Sequence, residues 1–122
     1  VDIGGHAVRV FDTHLDYRSD PNVRQQQVSD MLGFIGDISG PTLLFGDLNA
    51  PPDAPEIQPL LERLHDSWPT SSGPGLTDPA DVPRKRIDFV LVSRHFRVRD
   101  ASVPNTLASD HRPVVVDLTL TP

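Results

Sequence analysis

The segment from Thr42 to Ala50 constrains the fold more than any other part of this sequence. It opens with Leu43, Leu44 and Phe45, an apolar run that has the length and residue types of a buried strand. Gly46 follows directly and frees the backbone to turn. The run therefore predicts an interior strand that stops abruptly. The carboxyl ends of such strands are where open α/β sheets carry their chemistry.

Two polar side chains come immediately after this predicted strand. Asp47 and Asn49 are two positions apart, so both point to the same side if the extended conformation persists. A carboxylate and an amide held side by side can ligate a hard cation, orient a water or hydrogen-bond a phosphate oxygen. The alternative is a polar turn in which Asp47 caps the local backbone and Asn49 is strained. Taken alone, the pair favours the turn.

The residues before Thr42 predict a strand followed by a helix. Ala7 to Leu15 alternates as a strand does, and Ser19-Asp20-Pro21 is typical of a helix start. Arg24 and Gln27 fall in the first helical turns, where we expect them to brace the preceding loop. One apolar helical face follows, formed by Val28, Met31, Leu32 and Ile35. The order strand, helix, strand predicts neighbouring parallel strands.

The remainder of the chain predicts a short helix, a long loop and three strands. Asp53 can cap the helix, and its apolar face consists of Ile57, Leu60, Leu61 and Leu64. The stretch from Pro69 to Arg84 has few large apolar residues and reads as a surface loop, which at this length is usually functional or mobile. The strands are predicted at Ile87 to Val92, Phe96 to Val103 and Val114 to Leu120.

These elements together predict an α/β fold, a mixed β-sheet of about five strands with two helices packed on one face. The antiparallel pairing expected after Ile87 argues against a purely parallel sheet.

Length and charge limit the possible functions. The chain has 122 residues, enough for one domain or part of one with a real core. Its net charge of −6 is the opposite of the basic footprint of a protein that holds nucleic acid by its phosphates. A phosphate substrate would therefore need a bridging cation. The lack of cysteine excludes disulfides, thiolate zinc sites and a cysteine nucleophile. No membrane-length apolar run or leader is present, which predicts a soluble protein, cytoplasmic or secreted.

The segment from Arg84 to Val92 combines a basic cluster with an isolated acid. Arg84-Lys85-Arg86 can meet a phosphate near the site, or it can simply be a solvated strand entrance. Asp88 interrupts a strongly apolar strand. Because a buried carboxylate persists only when it is paired or hydrogen-bonded, Asp88 predicts a partner.

Four polar clusters thus lie at or near predicted strand ends. Each has a structural explanation when taken alone. Together they supply carboxylates, an amide and two imidazoles, which are the parts needed for metal-assisted phosphoester hydrolysis. The clusters are His14 with Asp16, Asp47 with Asn49, Asp88, and Asp110 with His111.

This pattern resembles the endonuclease/exonuclease/phosphatase superfamily, which includes pancreatic-type deoxyribonucleases, apurinic-site endonucleases, bacterial sphingomyelinases and inositol-phosphate phosphatases. The resemblance implies one half of a four-layer α/β/β/α sandwich, with residues 1–122 as the C-terminal portion of a single domain. It also implies a partner, the missing N-terminal half, which in the family supplies an asparagine and a metal-binding glutamate. The matching motifs are Thr13-His14-Leu15-Asp16, Gly46-Asp47-Leu48-Asn49-Ala50, Arg86-Ile87-Asp88-Phe89-Val90-Leu91 and Ser109-Asp110-His111-Arg112-Pro113-Val114.

The resemblance implies two possible routes for activating the attacking water. His111 would accept its proton as a general base, with Asp88 fixing the tautomer and stabilising the imidazolium. In some family mechanisms Asp47 instead takes the water and His111 contacts the phosphate. The sequence does not choose between these routes.

The resemblance also implies binding roles. His14 and Asn49 would hydrogen-bond the nonbridging oxygens of the substrate, and Arg86 would also bind substrate. The metal, Mg²⁺ or Mn²⁺, would be held through oxygen by Asp47, Asn49 and Asp110.

The function expected on these grounds is a divalent-metal-dependent phosphoester hydrolase that uses an activated water and forms no covalent intermediate. Its substrate would be a phospholipid headgroup, a sugar or inositol phosphate, or nucleic acid, the last being disfavoured by the acidic charge. The alternative is a non-catalytic binding or scaffold domain, or an inactive fragment, with the same fold.

Overall fold

A computed structural model describes residues 1–121 of the chain. These residues form eight strands and two α-helices, with two short 3₁₀ helices at Pro55–Ile57 and Thr70–Ser72. The strands and helices are, in chain order, β1 (Asp2–Ile3), β2 (His6–Ala7), β3 (Arg9–His14), α1 (Asn22–Ile35), β4 (Thr42–Asp47), α2 (Gln58–Arg63), β5 (His65–Asp66), β6 (Asp88–Val92), β7 (Phe96–Ser102) and β8 (Val115–Leu120).

The central sheet has four strands in the order β3-β4-β6-β5. Strand β3 runs parallel to β4, whereas β4 and β5 are antiparallel to β6. The predicted mixed sheet and the parallel strand–helix–strand unit are therefore confirmed.

The β7 and β8 strands depart from the single sheet expected from the sequence. They pair with each other in a separate two-stranded antiparallel sheet. The reason is that β6 already has β4 on one edge and β5 on the other, so no edge is left to accept β7. Strands β1 and β2 form a third small antiparallel pair.

The helices pack on one face of the central sheet and bury its core. Leu44 of β4 lies opposite Leu91 of β6 in the strand register, and both are fully buried. Helix α1 contributes the buried Val28 and Ile35, with Met31 and Leu32 partly buried beside them, as predicted. Since burying an aliphatic side chain contributes about 1.5–3 kcal/mol, this one-sided layer holds the domain together.

The second helical segment differs from the single short helix predicted, because it consists of a 3₁₀ turn followed by a short α2. Its apolar residues Ile57, Leu60 and Leu64 are fully buried as expected. The prediction that Asp53 caps this helix was wrong, because Ala54 occupies the position before the 3₁₀ turn and no side chain caps it. The Gln58 side chain satisfies local backbone oxygens instead.

The loop after β3 is held by the first turns of α1, as predicted. Arg24 is buried and its guanidinium donates to the backbone oxygen of Asp16 at 3.1 Å and to Glu56 at 2.7 Å. Gln27 accepts the backbone N–H of Asp16 at 2.8 Å. A buried charge of this kind persists because it is paired. The network fixes the chain just beyond His14.

The opposite face of the central sheet lies open toward β8. An apolar cleft of about 510 Å³ separates the sheet from β8, and Phe45 on its sheet side remains 38% exposed. Strands β3 and β5 lie at the two edges of the sheet. Residues 1–121 contain no helix that is both long and apolar enough to span a lipid bilayer.

Candidate active site

Three side chains of the site lie in one transverse row across the central sheet. His14 of β3 is the register partner of Asp47 of β4, and Asp47 is in turn the register partner of Asp88 of β6. Register partners on neighbouring strands project to the same face, so the row presents three functional groups side by side. The row sits at the strand ends, where the sequence pattern predicted the chemistry.

The loop before β8 brings His111 over this row. Its Nδ1 lies 2.9 Å from Oδ2 of Asp88 and 3.9 Å from Oδ2 of Asp47. On the other side, Nε2 of His14 lies 3.4 Å from Oδ2 of Asp47. The partner predicted for Asp88 is therefore the imidazole of His111. The structure thus collects four of the predicted site residues into one cluster, His14, Asp47, Asp88 and His111.

Two further residues of the cluster were not expected from the sequence. The hydroxyl of Thr77 donates to Oδ2 of Asp88 at 2.5 Å, and Oδ1 of Asp78 lies 3.3 Å from Nε2 of His111. Both belong to the long loop before β6. The only available signal was the length of that loop, because threonine and aspartate are ordinary loop residues.

The long loop is held in place by backbone hydrogen bonds. The backbone oxygen of Asp78 accepts the N–H of Arg84 at 2.8 Å and that of Lys85 at 2.9 Å, and Asp78 and Lys85 form an isolated antiparallel bridge. In addition, Ala80 donates to the backbone oxygen of Asp110 at 2.7 Å. The loop is thereby tied both to itself and to the segment that carries His111, which keeps Asp78 beside the imidazole.

The clustering changes the proton affinity of two groups. Burial raises the pKa of the Asp47 carboxyl and the charge of Asp88 adds to this, while the N–H of Asn49 and the two imidazoles offset part of the increase. Burial by itself would lower the pKa of His111. The hydrogen bond and charge of Asp88, together with the charges of Asp47 and Asp78, outweigh burial and raise it. Carboxyl and imidazole groups whose pKa values are shifted by burial and by specific charged neighbours are typical of functional sites.

Replacement of Asp78 by asparagine is expected to lower the pKa of His111. The imidazolium loses one of the anions that stabilise it, so it gives up its proton at lower pH. For a pair at this distance near the surface we expect a decrease of about half a unit to one unit. The measurement is an NMR pH titration of the His111 ring in the metal-free protein. Asp81→Asn is the matched control, since its exposed carboxylate accepts the N–H of the adjacent Val82 and forms no ion pair with any histidine among residues 1–121. An equal His111 pKa in both variants would contradict the expectation.

Asn49 adopts the polar turn that was one of its two interpretations, and this turn is compatible with the functional one. Its backbone has φ 48, in the left-handed region that asparagine tolerates better than most residues. Its N–H donates to Oδ1 of Asp47 at 2.8 Å, as the turn interpretation predicted. The side-chain amide donates to the backbone oxygen of Leu15 at 2.8 Å, which ties the end of β4 to the end of β3. The turn therefore orients Asp47.

The remaining two predicted site residues, Asp110 and Arg86, make no contact with the cluster among the hydrogen bonds and ion pairs of residues 1–121. The Asp110 carboxylate is exposed and accepts a hydrogen bond from Ser109 at 3.1 Å, and it is not part of the group formed by Asp47, Asp88 and His111. Arg86 pairs with Asp66 at 2.6 Å and stacks over the Phe89 ring at 4.8 Å. Its charge is thus already neutralised. The roles assigned to both residues stay predictions.

The sequence matches the Endonuclease/Exonuclease/phosphatase family over residues 4–111. The chain belongs to this family. The resemblance predicted from the four motifs is thereby confirmed, and the family's members are phosphoesterases and nucleases.

A curated protein and two solved structures illustrate how this family member compares. UPF0294 protein VV2535 of Vibrio vulnificus (strain YJ016) is 30% identical over 103 residues, which cover 79% of this chain and 34% of the Vibrio protein. A conserved protein of unknown function from Enterococcus faecalis V583 has a TM-score of 0.75 at 23% identity, over 89% of this chain and 48% of the other.

The second solved structure is the mannosyl-6-phosphatase Bt3783 of Bacteroides thetaiotaomicron VPI-5482. It has a TM-score of 0.66 at 22% identity, over 90% of this chain and 51% of the phosphatase. The chain therefore spans about a third of the Vibrio relative and about half of these two structures. At these identities the two structures establish the fold, and the α/β layer predicted as half of a sandwich is confirmed.

The family generally uses divalent metals, and the donor atoms of this chain fit such an ion. One ligand atom each from Asp47, Asp88 and His111 lie within 4.8 Å of one another. With Asp78 added, three carboxylates face two imidazoles, and this excess of negative oxygen suits a hard cation.

Proposed function

We propose that this chain is the C-terminal, His111-bearing portion of a divalent-metal-dependent phosphoester hydrolase. The observation that carries the proposal is the row of His14, Asp47 and Asp88 with His111 held above it at 2.9 Å from Asp88. An orienting carboxylate, an imidazole and a second carboxylate of raised pKa are the groups that water activation at a phosphorus centre requires.

The proposed reaction is a direct displacement by water. The oxygen of the water forms a bond to phosphorus, the bond from phosphorus to the ester oxygen breaks, and the alcohol leaves after taking up a proton. No covalent enzyme intermediate is needed, because the water itself is the nucleophile.

Two residues are placed to accept the proton of the water. His111 has Asp88 behind Nδ1, which orients the ring in the manner of a carboxylate behind a catalytic histidine. Asp47 is the other acceptor, because its raised pKa brings its basicity closer to that of an effective base. In the second case His111 would donate a hydrogen bond to a phosphoryl oxygen.

The neighbouring groups would bind the phosphoryl oxygens. His14 is 74% exposed and only its Nε2 faces Asp47, so its ring is accessible to a ligand. Asn49 uses one amide hydrogen on Leu15, which leaves its second hydrogen for a phosphoryl oxygen and its side-chain oxygen for a cation. Donors aimed at these oxygens stabilise the charge that builds in the transition state.

Asp47 would hold the metal, since it is both a predicted ligand and a member of the group formed with Asp88 and His111. Asn49 and Asp110 are the other predicted ligands. When bound, Mg²⁺ or Mn²⁺ supplies Lewis-acid polarisation of the phosphoryl group. Its positive charge would also offset the acidity of the site, in a chain of net charge −6.

We further propose that the open sheet face packs against a second half of the domain. The solved relatives are about twice as long as the part that matches here, and the cleft between the central sheet and β8 is lined by apolar side chains. A second layer there would bury Phe45 and complete the sandwich.

The test is hydrolysis by the full-length protein of a panel of sugar phosphates, inositol phosphates, phospholipid headgroups and DNA. We expect product release with Mg²⁺ or Mn²⁺ and loss of at least about a hundredfold when the metal is chelated, since a metal supplies several kcal/mol of transition-state stabilisation. Sugar and inositol phosphates should exceed DNA, because the acidic surface repels a polyanion. A metal-independent rate would contradict the proposed metal dependence, and no turnover on the whole panel would favour a binding domain instead.

A further inference from the structure

A second pocket adjoins the candidate active site. It has a volume of about 640 Å³ and shares Asn49 and His111 with the site. We call it the leaving-group pocket. Its volume lies within the range of about 300–1,000 Å³ that small-molecule sites occupy. It therefore has room for the alcohol part of a phosphoester held at His111.

The walls of the leaving-group pocket have an apolar part and a basic part, and Asp78 also lines it, with its carboxylate 3.3 Å from Nε2 of His111. Pro51, Pro52, Pro74, Leu76 and Ile87 supply the apolar surface. The basic cluster Arg84-Lys85-Arg86 supplies the other side. An apolar wall with a few placed charges is the usual construction of a pocket that recognises a small polar ligand.

The three basic residues differ in whether their charge is already used. Arg86 is paired with Asp66 and stacked on Phe89. Among residues 1–121, Arg84 and Lys85 form no ion pair with any carboxylate, and both side chains are exposed. Two unpaired cations in the pocket of a chain with net charge −6 mark a local site for an anion rather than a generally basic surface.

Backbone hydrogen bonds hold the main chain of Arg84 and Lys85 close to the site. Arg84 and Lys85 both donate their N–H groups to the oxygen of Asp78, the residue whose carboxylate faces His111. The backbone oxygen of Lys85 accepts the N–H of Thr77 at 2.8 Å and that of Asp78 at 3.1 Å. The same loop therefore carries both the carboxylate beside the imidazole and the backbone of the two basic residues, which places these residues next to the site.

We infer that Arg84 and Lys85 bind a second anionic group on the leaving group of the substrate. This inference rests on the function proposed above and narrows its substrate class to small phosphoesters whose alcohol part carries another phosphate or carboxylate. The scissile phosphate lies at His111 and the second anion lies on the two cations. The apolar wall packs against the carbon skeleton between them.

The experiment compares two matched substrates, glucose 6-phosphate and glucose 1,6-bisphosphate, with the full-length protein. We expect a kcat/KM for the bisphosphate at least about tenfold higher, because each exposed charge contact contributes on the order of 1 kcal/mol. In the double variant Arg84→Gln/Lys85→Gln this preference should disappear, while kcat/KM for the monophosphate changes less than about threefold. Equal loss on both substrates, or no loss on the bisphosphate, would overturn the inference.

The control is Arg97→Gln/Arg99→Gln, which removes the same charge from β7, outside the pocket. It should leave the preference intact if the effect is local. A fall equal to that of the Arg84/Lys85 variant would mean that net charge alone decides and would overturn the inference.

A binding measurement separates this inference from the proposed function. The proposed hydrolysis requires a metal, so calorimetry on the metal-free protein reports the binding of glucose 1,6-bisphosphate whether or not the chain is an enzyme. We expect binding about tenfold weaker in the Arg84→Gln/Lys85→Gln variant than in the β7 control. If no substrate is cleaved but this difference holds, the anion site stands and the hydrolase proposal fails. Equal binding by the two variants would overturn the anion site.

Discussion

Alanine at His111 or at Asp47 is expected to lower kcat/KM for phosphoester hydrolysis by about a hundredfold to ten-thousandfold, the usual contribution of a positioned acid or base. His111 combines contact with Asp88 at 2.9 Å and partial exposure toward the pocket, so its ring can reach a ligand. Asp47 lies within 4 Å of both imidazoles, at 3.4 Å from that of His14 and 3.9 Å from that of His111. Removal of either group takes away a member of the cluster without opening the buried core.

The two proton-acceptor assignments differ in the pH–rate profile. If His111 is the base, His111→Ala removes the limb that reports its ionisation, and Asp88→Asn lowers that pKa because the imidazolium loses its main partner. If Asp47 is the base, the limb persists in His111→Ala and is lost in Asp47→Asn. The control is His65→Ala, an exposed histidine on β5. Full activity in both alanine variants, with unchanged thermal stability, would defeat both assignments.

The parts of the site on regular strands could be predicted from the sequence. His14, Asp47 and Asp88 each follow or open an apolar run, and strand pairing then brings such residues into register. The partner required by Asp88 could also be predicted, because an unpaired carboxylate at that position would be too costly. It is the imidazole of His111, from a loop 23 residues away.

The parts of the site on loops could not be predicted in the same way. Asp78 and Thr77 reach the cluster only because backbone bonds fold their loop back on itself, and no periodicity encodes such a path. For the same reason, the sequence did not show that Arg86 is paired. A basic cluster indicates charge. Only the folded chain shows that Asp66 neutralises Arg86, whereas Arg84 and Lys85 form no ion pair among residues 1–121.

The pairing of β7 with β8 illustrates a third limit. Both strands could be predicted from their residues, but their partner depends on which sheet edges are already occupied. The available edges are a property of the whole sheet layer. The pairing of β7 with β8 also affects the shape of the site, because β8 follows the loop that carries His111 and faces the open side of the central sheet.

The largest effect on stability is expected for Gly46→Ala, which should lower the free energy of unfolding by about 4 kcal/mol or more. Gly46 has φ 141, a conformation that L residues rarely adopt, and a Cβ at this position would lie 1.8 Å from the backbone oxygen of Thr13. That oxygen belongs to the paired strand β3, so it cannot move away without breaking the sheet. The measurement is the change in urea or thermal unfolding of the purified protein.

Gly33→Ala is the matched control, because the chemical change is identical and only the environment differs. Gly33 lies within α1 and has nothing within 4 Å of the position that a Cβ would take. Alanine is a better helix former there, so the protein should become more stable by about 0.4–1 kcal/mol. Equal effects of the two substitutions would contradict this account. Gly46 precedes Asp47, and Thr13 precedes His14. The close approach of β3 to β4 that only glycine permits is therefore also what brings that imidazole within 3.4 Å of the carboxylate.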